Sequence, residues 1–276
     1  MITTGDQLIA AVNNCQLLEG ECAFWWLGQH GVILKLGSVV CYIDAFLSPI
    51  EGRQVPPLLR PEQVTNATLF LGSHDHADHI DRAAWPGLAT ASPSALFIVP
   101  ELKRQQLADE VGLAEARLRG VDHGLAVEIA GVKITGVPAA HEFLDRDELT
   151  GLHPYVGFVL EGNGCTIYHA GDTCIYEGMQ TLLRQWRFDL AFLPINGRDA
   201  RRLASGCIGN MTYQEAVDLA GTMRPGLSVP THFEMFATNS ENPQLFVDYM
   251  KVKYPGLATH IPQHGECVRV ANGAVI

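Results

Sequence analysis

The feature of this sequence that most constrains its fold is the run SHDHADHID at residues 73–81. It holds three histidines and three aspartates directly after the apolar segment TLFLG, which predicts a buried strand. Imidazole and carboxylate are ligands of zinc, iron and manganese, and no cysteine lies in the run. A turn after a strand can point His74 and His76 at one ion, and Asp78 and His79 at a second. The run therefore predicts a two-metal site, with a solvated polar turn as the alternative.

Two-metal sites need further ligands from other parts of the chain. Three candidates stand where other predicted strands end: His141 after a hairpin, Asp172 after CTIYHAG and His232 after LSVP. A single histidine at a strand end is more often structural, but a shared position beside the cluster favours a common site. His264, in a C-terminal turn, is the alternative to His232 as the last ligand. The strand-end position favours His232.

Predicted strands and helices alternate in both halves of the chain, which is typical of an α/β fold. The predicted strands cover residues 22–27, 32–36, 39–44, 68–73, 96–100, 127–140, 155–162, 165–172, 190–195 and 227–230, with a terminal strand pair. The predicted helices cover residues 101–112, 176–186, 212–223 and 244–254. Without a Gly/Ser-rich linker or a fixed repeat, the pattern predicts one domain over residues 1–276.

Composition and charge exclude several classes of protein. The 276 residues are 47% hydrophobic and 18% charged, which excludes disordered and collagenous chains. The net charge is −11 and no basic run is present, so long nucleic acid is not expected as a partner. Neither an export signal nor a long apolar stretch is found, so no membrane association is expected. The odd count of seven cysteines, without a C-x-x-C pair, indicates reduced thiols and a cytoplasmic protein.

In chain order, the metal motifs resemble those of the metallo-β-lactamase superfamily. The matching residues are Asp44, His74-x-His76-x-Asp78-His79, His141, Gly171-Asp172-Thr173 and Pro230-x-His232. The resemblance implies a four-layer αβ/βα sandwich. It also implies one metal ion held by His74, His76 and His141. A second ion would be held by Asp78, His79 and His232, with Asp172 bridging the two.

Longer segments resemble the L-ascorbate-6-phosphate lactonase group of that superfamily. They are WLGQHGVIL, IDAFLS, SHDHADHID, HAGDT, LPINGRDARR, GNMTYQEAVDLA and VPTHFEMFATN, and they run from Trp26 to Asn239. The resemblance implies hydrolysis of a phosphorylated sugar lactone such as L-ascorbate 6-phosphate. It favours one or two Mn²⁺ ions, with Zn²⁺ possible, and implies a homo-oligomer. His30 departs from the small residue expected in this group.

The lactonase hypothesis assigns roles to particular side chains. A metal lowers the pKa of its bound water to about 7, so a metal-bound hydroxide can attack the lactone carbonyl. Asp78 would orient this hydroxide, and Asp78 and His232 are the predicted catalytic residues. An anionic substrate needs a local cationic patch on this acidic chain. Candidates for phosphate binding are Arg198, Arg201, Arg202 and Asn210. The alternative is a solvated loop with salt bridges to Asp199.

Three other functions compete with the lactonase. A phosphodiesterase acting on small or cyclic nucleotides could use the same two metals. A diiron redox protein would place a carboxylate at His76 and carry a flavin domain, and the sequence has neither. A catalytically silent binding protein would more often have lost a ligand, whereas all seven are present. Histidines 123, 153 and 260 have no partner motif and are interpreted as surface or loop residues.

Overall fold

Two β-sheets form the centre of the structure, a computed structural model that describes residues 3–276. Within these residues the first sheet has eight strands, in the spatial order β15-β14-β1-β2-β3-β4-β5-β6. Its strands are β1 (Glu21–Gly28), β2 (Gly31–Leu36), β3 (Val39–Ile43), β4 (Leu69–Leu71), β5 (Leu96–Pro100), β6 (Leu118–Val121), β14 (Cys267–Ala271) and β15 (Ala274–Val275).

The second sheet has seven strands within the described residues, in the order β13-β12-β11-β10-β9-β8-β7. They are β7 (Ala126–Ile129), β8 (Val132–Pro138), β9 (Val156–Gly162), β10 (Cys165–His169), β11 (Leu190–Pro194), β12 (Leu227–Thr231) and β13 (Ala258–Thr259). The helices are α1 (Gly5–Asn14), α2 (Trp85–Ala91), α3 (Arg104–Val111), α4 (Met179–Leu183), α5 (Ala200–Ala204), α6 (Tyr213–Met223) and α7 (Pro243–Lys253).

The layers follow from the alternation of side chains along the strands. In β1, Phe24 and Trp26 belong to the core that also contains the second sheet and helices α6 and α7. Ala23 and Trp25 belong to a second core, on the opposite face, which contains apolar residues of α1, α2 and α3. Each sheet is thus covered by the other sheet on one face and by helices on the other. The predicted α/β sandwich is confirmed.

Strand directions bring the chemically interesting residues to one edge of each sheet. Strands β3, β4, β5 and β6 are parallel, as are β10, β11 and β12. The carboxyl ends of parallel strands lie at the same edge, and ligand sites commonly form there. Asp44 follows β3, and His74 follows β4 after two residues. Asp172 and His232 follow β10 and β12 of the second sheet in the same way.

Several helices differ from the sequence prediction. Helix α1 was not predicted, although its apolar residues Leu8, Ile9 and Val12 are buried against the first sheet. Of the helix predicted for residues 176–186, the structure forms only α4. This helix begins after Gly178, whose backbone φ is 88°. In contrast, the capping box predicted from Thr212 and the glutamate three residues later opens α6. Within residues 3–276, none of the helices has the length and apolar character required for a membrane crossing.

Candidate metal centre

Three imidazoles, here called the imidazole group, come together from two loops: His74, His76 and His141. Nε2 of His74 lies 3.0 Å from Nδ1 of His76, and Nε2 of His141 lies 3.2 Å from the same Nδ1. Burial lowers the pKa of His141 to about 4 and holds the pKa of His74 well below its ordinary value. These two rings are therefore neutral, which is the form of imidazole that binds a metal ion.

A second cluster, here called the mixed group, consists of Asp78, His79 and His232. Oδ2 of Asp78 lies 3.5 Å from Nε2 of His79 and 3.9 Å from Nε2 of His232. The candidate ligand atoms of each group lie within 4.8 Å of one another, as a shared metal ion requires. The structure thus brings the predicted residues together in the two sets of three that the resemblance implies.

Asp172 lies between the two groups. Its Oδ2 is 3.1 Å from Nε2 of His232, and its Oδ1 is 3.4 Å from Nε2 of His79. Asp172 also forms a possible three-ligand set with His74 and His79. Although burial raises the pKa of Asp172, the neighbouring His232 and His79 outweigh this effect and hold it well below its ordinary value. Asp172 therefore carries a negative charge in contact with the mixed group, and its carboxylate lies within 4.8 Å of a ring nitrogen of His74 in the imidazole group.

The donor atoms at this centre fit a divalent metal ion. Nε2 of His79 and Oδ1 of Asp172 are buried and have no hydrogen-bond partner within residues 3–276. Buried polar atoms in proteins are nearly always paired, so two unpaired atoms facing each other indicate that a ligand belongs between them. A set of imidazole nitrogens and carboxylate oxygens suits zinc, manganese or iron.

Asp44 orients His79 of the mixed group through Nδ1, the ring nitrogen on the far side from the candidate metal ligands. Nδ1 of His79 donates a hydrogen bond to Oδ2 of Asp44 at 2.7 Å, and the backbone and hydroxyl of Ser73 donate to the same carboxylate. This contact leaves Nε2 of His79 facing the centre, as in carboxylate–histidine–metal arrangements. Burial opposes charge on His79, but Asp172, Asp78 and Asp44 outweigh it and hold the pKa of His79 well above its ordinary value.

The turn between β1 and β2 touches three of the loops that carry candidate ligands, a role that the sequence analysis missed. Nε2 of Gln29 donates to Oδ2 of Asp78 at 2.8 Å, while the carbonyl oxygen of Gln29 accepts from the backbone N–H of His232 at 2.7 Å. Nε2 of His30 donates to the carbonyl oxygen of Gly171 at 3.0 Å, directly before Asp172. The only sequence signal for this role was the polar pair Gln29-His30, which stands between two glycines at the junction of two apolar strands.

The structure places His264 apart from both groups. Its ring stacks on Trp26 with 4.3 Å between ring centroids, and its Nε2 lies 3.9 Å from a carboxylate oxygen of Glu234. Among residues 3–276, the sets of possible metal ligands include His232 and do not include His264. The preference for His232 over His264 in the sequence analysis therefore agrees with the geometry.

The segment between β11 and α6, residues 195–212, carries the three candidate arginines and is here called the arginine-bearing loop. It lies beside the centre: the backbone N–H of Met211 donates to the carbonyl oxygen of Thr173, the residue after Asp172, at 2.9 Å. The guanidinium of Arg198 donates to both carboxylate oxygens of Glu215, at 2.6 and 2.7 Å. That of Arg202 pairs with Asp199 at 3.2 Å and also donates to backbone carbonyls. The salt bridge to Asp199 that the sequence analysis named as the alternative is therefore present for Arg202.

The two remaining substrate candidates differ in burial. Arg201 is exposed, and its guanidinium has no ion-pair or hydrogen-bond partner among the residues that the structure describes. Asn210 is fully buried; its Nδ2 donates to Oδ1 of Asn196 at 3.1 Å, and its own Oδ1 has no partner within residues 3–276. Of the three arginines, Arg201 is thus the one that is free to meet an anion without breaking an ion pair.

Comparisons with known proteins agree with this architecture. A family model described as "Beta-lactamase superfamily domain" matches residues 41–233, which include all the candidate metal ligands. A "UPF0173 metal-dependent hydrolase" of Sulfurisphaera tokodaii is 26% identical over 245 residues, covering 89% of this chain and 98% of that protein. A protein of the same name from Roseiflexus sp. is 30% identical over 224 residues, covering 78% of this chain and 84% of that protein.

The fold is also shared with solved structures. Igni18, described as a novel metallo hydrolase from the archaeon Ignicoccus hospitalis, superposes with a TM-score of 0.70. The alignment covers 90% of this chain and 98% of Igni18, at 22% sequence identity. At this identity the similarity establishes the fold and carries no information about the substrate.

Proposed function

Because this chain belongs to the β-lactamase superfamily domain family, we propose that it is a metal-dependent hydrolase that opens a lactone, with a phosphorylated sugar lactone as the substrate. The observation that carries the hydrolase assignment is the position of Asp172. Its carboxylate contacts His79 and His232, and its own Oδ1 is buried without a hydrogen-bond partner within residues 3–276. The lactone is supported by the sequence resemblance, and the metal-dependent hydrolase also by the names of the relatives.

The imidazole group would hold one metal ion and the mixed group another, with Asp172 contacting both. When bound, such ions lower the pKa of water toward neutrality and polarise a carbonyl oxygen, so that no serine or cysteine nucleophile is needed. Manganese is favoured by the resemblance and zinc is the alternative.

Asp78 is suited to orient the attacking water. Its Oδ2 is occupied by the amide of Gln29 at 2.8 Å, whereas its Oδ1 has no hydrogen-bond partner within the described residues. The side chain of Asp78 is about one-fifth exposed (21%). Oδ1 of Asp78 can therefore accept a proton from water as the carbonyl is attacked. Nε2 of His232 lies 3.9 Å from Oδ2 of Asp78, and His232 would contact the developing negative charge.

The phosphate of the substrate would meet the arginine-bearing loop. A chain of net charge −11 repels an anion over most of its surface, so a local guanidinium is needed. Arg201 is the unpaired candidate, and Arg198 and Arg202 shape the loop through their pairs with Glu215 and Asp199. The amide of Asn210 contributes the buried wall of the same loop.

The proposal is tested by hydrolysis assays with metal-free protein reloaded separately with Mn²⁺ or Zn²⁺. Three substrates are compared: L-ascorbate 6-phosphate, L-ascorbate and a bis-aryl phosphodiester. Selective turnover of the phosphorylated lactone supports the proposal. Turnover of the diester alone contradicts it and favours the phosphodiesterase; no turnover of any of the three removes the ascorbate-type lactone as substrate.

A single substitution tests the anion site. In Arg201→Ala we expect KM for the phosphorylated lactone to rise at least about tenfold, since one charge-assisted hydrogen bond is worth roughly 1.5–3 kcal/mol. KM for the unphosphorylated lactone should change little. Arg184→Ala is the matched control, because Arg184 is also exposed but lies on another surface. An equal change of KM for both lactones would remove Arg201 from phosphate binding.

A further inference from the structure

A cavity of about 580 Å³ lies outside the metal centre and takes no part in the proposed chemistry. Its apolar wall includes Pro138, Leu152 and Leu182, and its polar wall includes Asp122 and His153. A volume of this size is within the range of sites that bind small organic molecules. Such sites are typically apolar with a few fixed polar groups. Here the cavity is open to solvent, and its lining also includes the polar side chains of His123, Arg146, Glu177, Thr181 and Gln185.

Asp122 and His153 form a buried pair in this wall. Nδ1 of His153 lies 2.6 Å from Oδ1 of Asp122, and the backbone N–H of His153 donates to Oδ2 at 2.7 Å. The side chain of His153 is 11% exposed and that of Asp122 only 2%. The sequence analysis interpreted His153 as a surface or loop histidine; it does lie in a loop, but it is buried and not at the surface. No sequence motif indicates the pairing of His153 with Asp122, because the two residues lie 31 positions apart.

The pair is a neighbour of the metal centre but is separate from it. Asp122 follows β6 at the same edge of the first sheet where His74 follows β4, two strands away. Two strand spacings place these loops roughly 10 Å apart. Tyr155, two residues after His153, contacts the metal centre, with its ring centroid 5.6 Å from that of His74 and 5.3 Å from that of His141.

The hydrogen bond to Asp122 decides what His153 offers to the cavity. A carboxylate only accepts, so Nδ1 of the ring carries the proton, and in the neutral ring Nε2 has the free lone pair. Nε2 has no hydrogen-bond partner within residues 3–276, and the residue lines the cavity. A nine-tenths buried ring with its orientation set by a carboxylate is thus presented to the cavity without a partner.

We propose that this cavity binds a small apolar molecule that carries one hydroxyl or N–H group, which donates a hydrogen bond to Nε2 of His153. The apolar part of the molecule packs against Pro138, Leu152 and Leu182. Because Asp122 holds the ring from behind, little side-chain freedom is lost when the ligand binds. This site goes beyond the proposed hydrolase function and does not depend on it, since no metal ligand lines the cavity.

The test uses p-cresol and toluene, which differ by one hydroxyl, as probes in ligand-observed NMR titrations of the whole chain. We expect p-cresol to bind about three- to tenfold more tightly than toluene, the worth of one buried hydrogen bond. In His153→Leu the two affinities should become equal, while toluene still binds. His260→Leu is the matched control, because His260 also pairs with a carboxylate, that of Glu266 at 3.3 Å, but lies elsewhere.

A second variant keeps the proposal testable if His153→Leu does not fold. Leu182 is half-buried in the cavity wall, and Leu182→Trp should fill the cavity and weaken the binding of both probes at least tenfold. Three results would overturn the proposal: no saturable binding to the wild type, the same preference for p-cresol in His153→Leu, or wild-type affinities in Leu182→Trp.

Discussion

The imidazole group and the mixed group stand side by side, yet they are held in different ways. In the mixed group, His79 is fixed by Asp44 at 2.7 Å and Asp78 by Gln29 at 2.8 Å. In the imidazole group, His74 has one such contact, with the hydroxyl of Ser73 at 3.0 Å from its Nδ1, and His76 is only half-buried. Nδ1 of His141, like Nδ1 of His232 in the mixed group, is buried without a partner among the described residues. The difference teaches that the fold holds two members of the mixed group and one of the imidazole group, so the imidazole group depends more on the ion it would bind.

Backbone strain occurs more often around the mixed group, although Glu142, which follows His141 of the imidazole group, also has a left-handed conformation with a φ of 70°. Gln29, Asp44 and His232 all have left-handed backbone conformations, with φ of 54°, 47° and 61°. Such conformations cost non-glycine residues about 1–3 kcal/mol each and persist only where the surroundings enforce them. All three lie in or directly behind the mixed group. The rigid scaffold that enforces this strain is a second sign that the mixed group is the more pre-organised one.

The largest effect is expected where the two groups meet. Asp172→Asn keeps the shape of the side chain but removes the charge that contacts His79 and His232. We expect metal loss from both groups and a fall in hydrolysis of at least about 100-fold, the upper end of what changes around metal ligands cost. Metal content by mass spectrometry and turnover are the measurements. Asp218→Asn, a surface change beside Lys253, is the control and should retain both.

The next test removes one member of each group. His141→Ala should lose the ion of the imidazole group and keep the other, because the mixed group is held by Asp44 and Gln29 independently of His141. His232→Ala should show the reverse, since His232 contacts Asp78 and Asp172. Equilibrium dialysis followed by metal analysis measures the stoichiometry. If both variants lost all metal, the two groups would be one cooperative unit and the comparison would fail.

A smaller effect is expected from the residue behind His79. Asp44→Asn weakens the contact that orients this imidazole, and we expect metal affinity in the mixed group to fall about 10- to 100-fold. Affinity in the imidazole group should change little, because Asp44 contacts none of its three rings among the described hydrogen bonds. Competition with a coloured chelator measures both affinities. Equal weakening of the two would show that Asp44 supports the whole centre.

The smallest effect is expected at the turn between β1 and β2. Gln29→Ala removes the donor to Asp78 but leaves the backbone contact of residue 29 with His232 intact. We expect metal affinity in the mixed group to fall about tenfold, the lower end for such contacts. Gln105→Ala, on the exposed face of α3, is the control. An affinity unchanged by Gln29→Ala would mean that the backbone of the turn, without its amide, positions the mixed group.

The sequence alone determined the features that depend on neighbours a few residues away. Short apolar segments bounded by glycine and polar residues predicted most of the strands, and Thr212 and Glu215 predicted the start of α6. The run at residues 73–81 predicted where the metal chemistry lies. The sequence also indicated the α/β class, because strands and helices alternate along the chain. These signals are local, since hydrogen bonds and side-chain spacing within one element produce them.

Only the tertiary structure decided which of these elements meet. Asp44 reaches His79 across 35 positions, Gln29 reaches Asp78 across 49, and His232 rather than His264 faces them. The tertiary structure also pairs Arg198 with Glu215, and His153 with Asp122. The physical reason is that periodicity shows which face of an element is buried but not against what. Contacts between loops at the ends of different strands arise only when the two sheets pack.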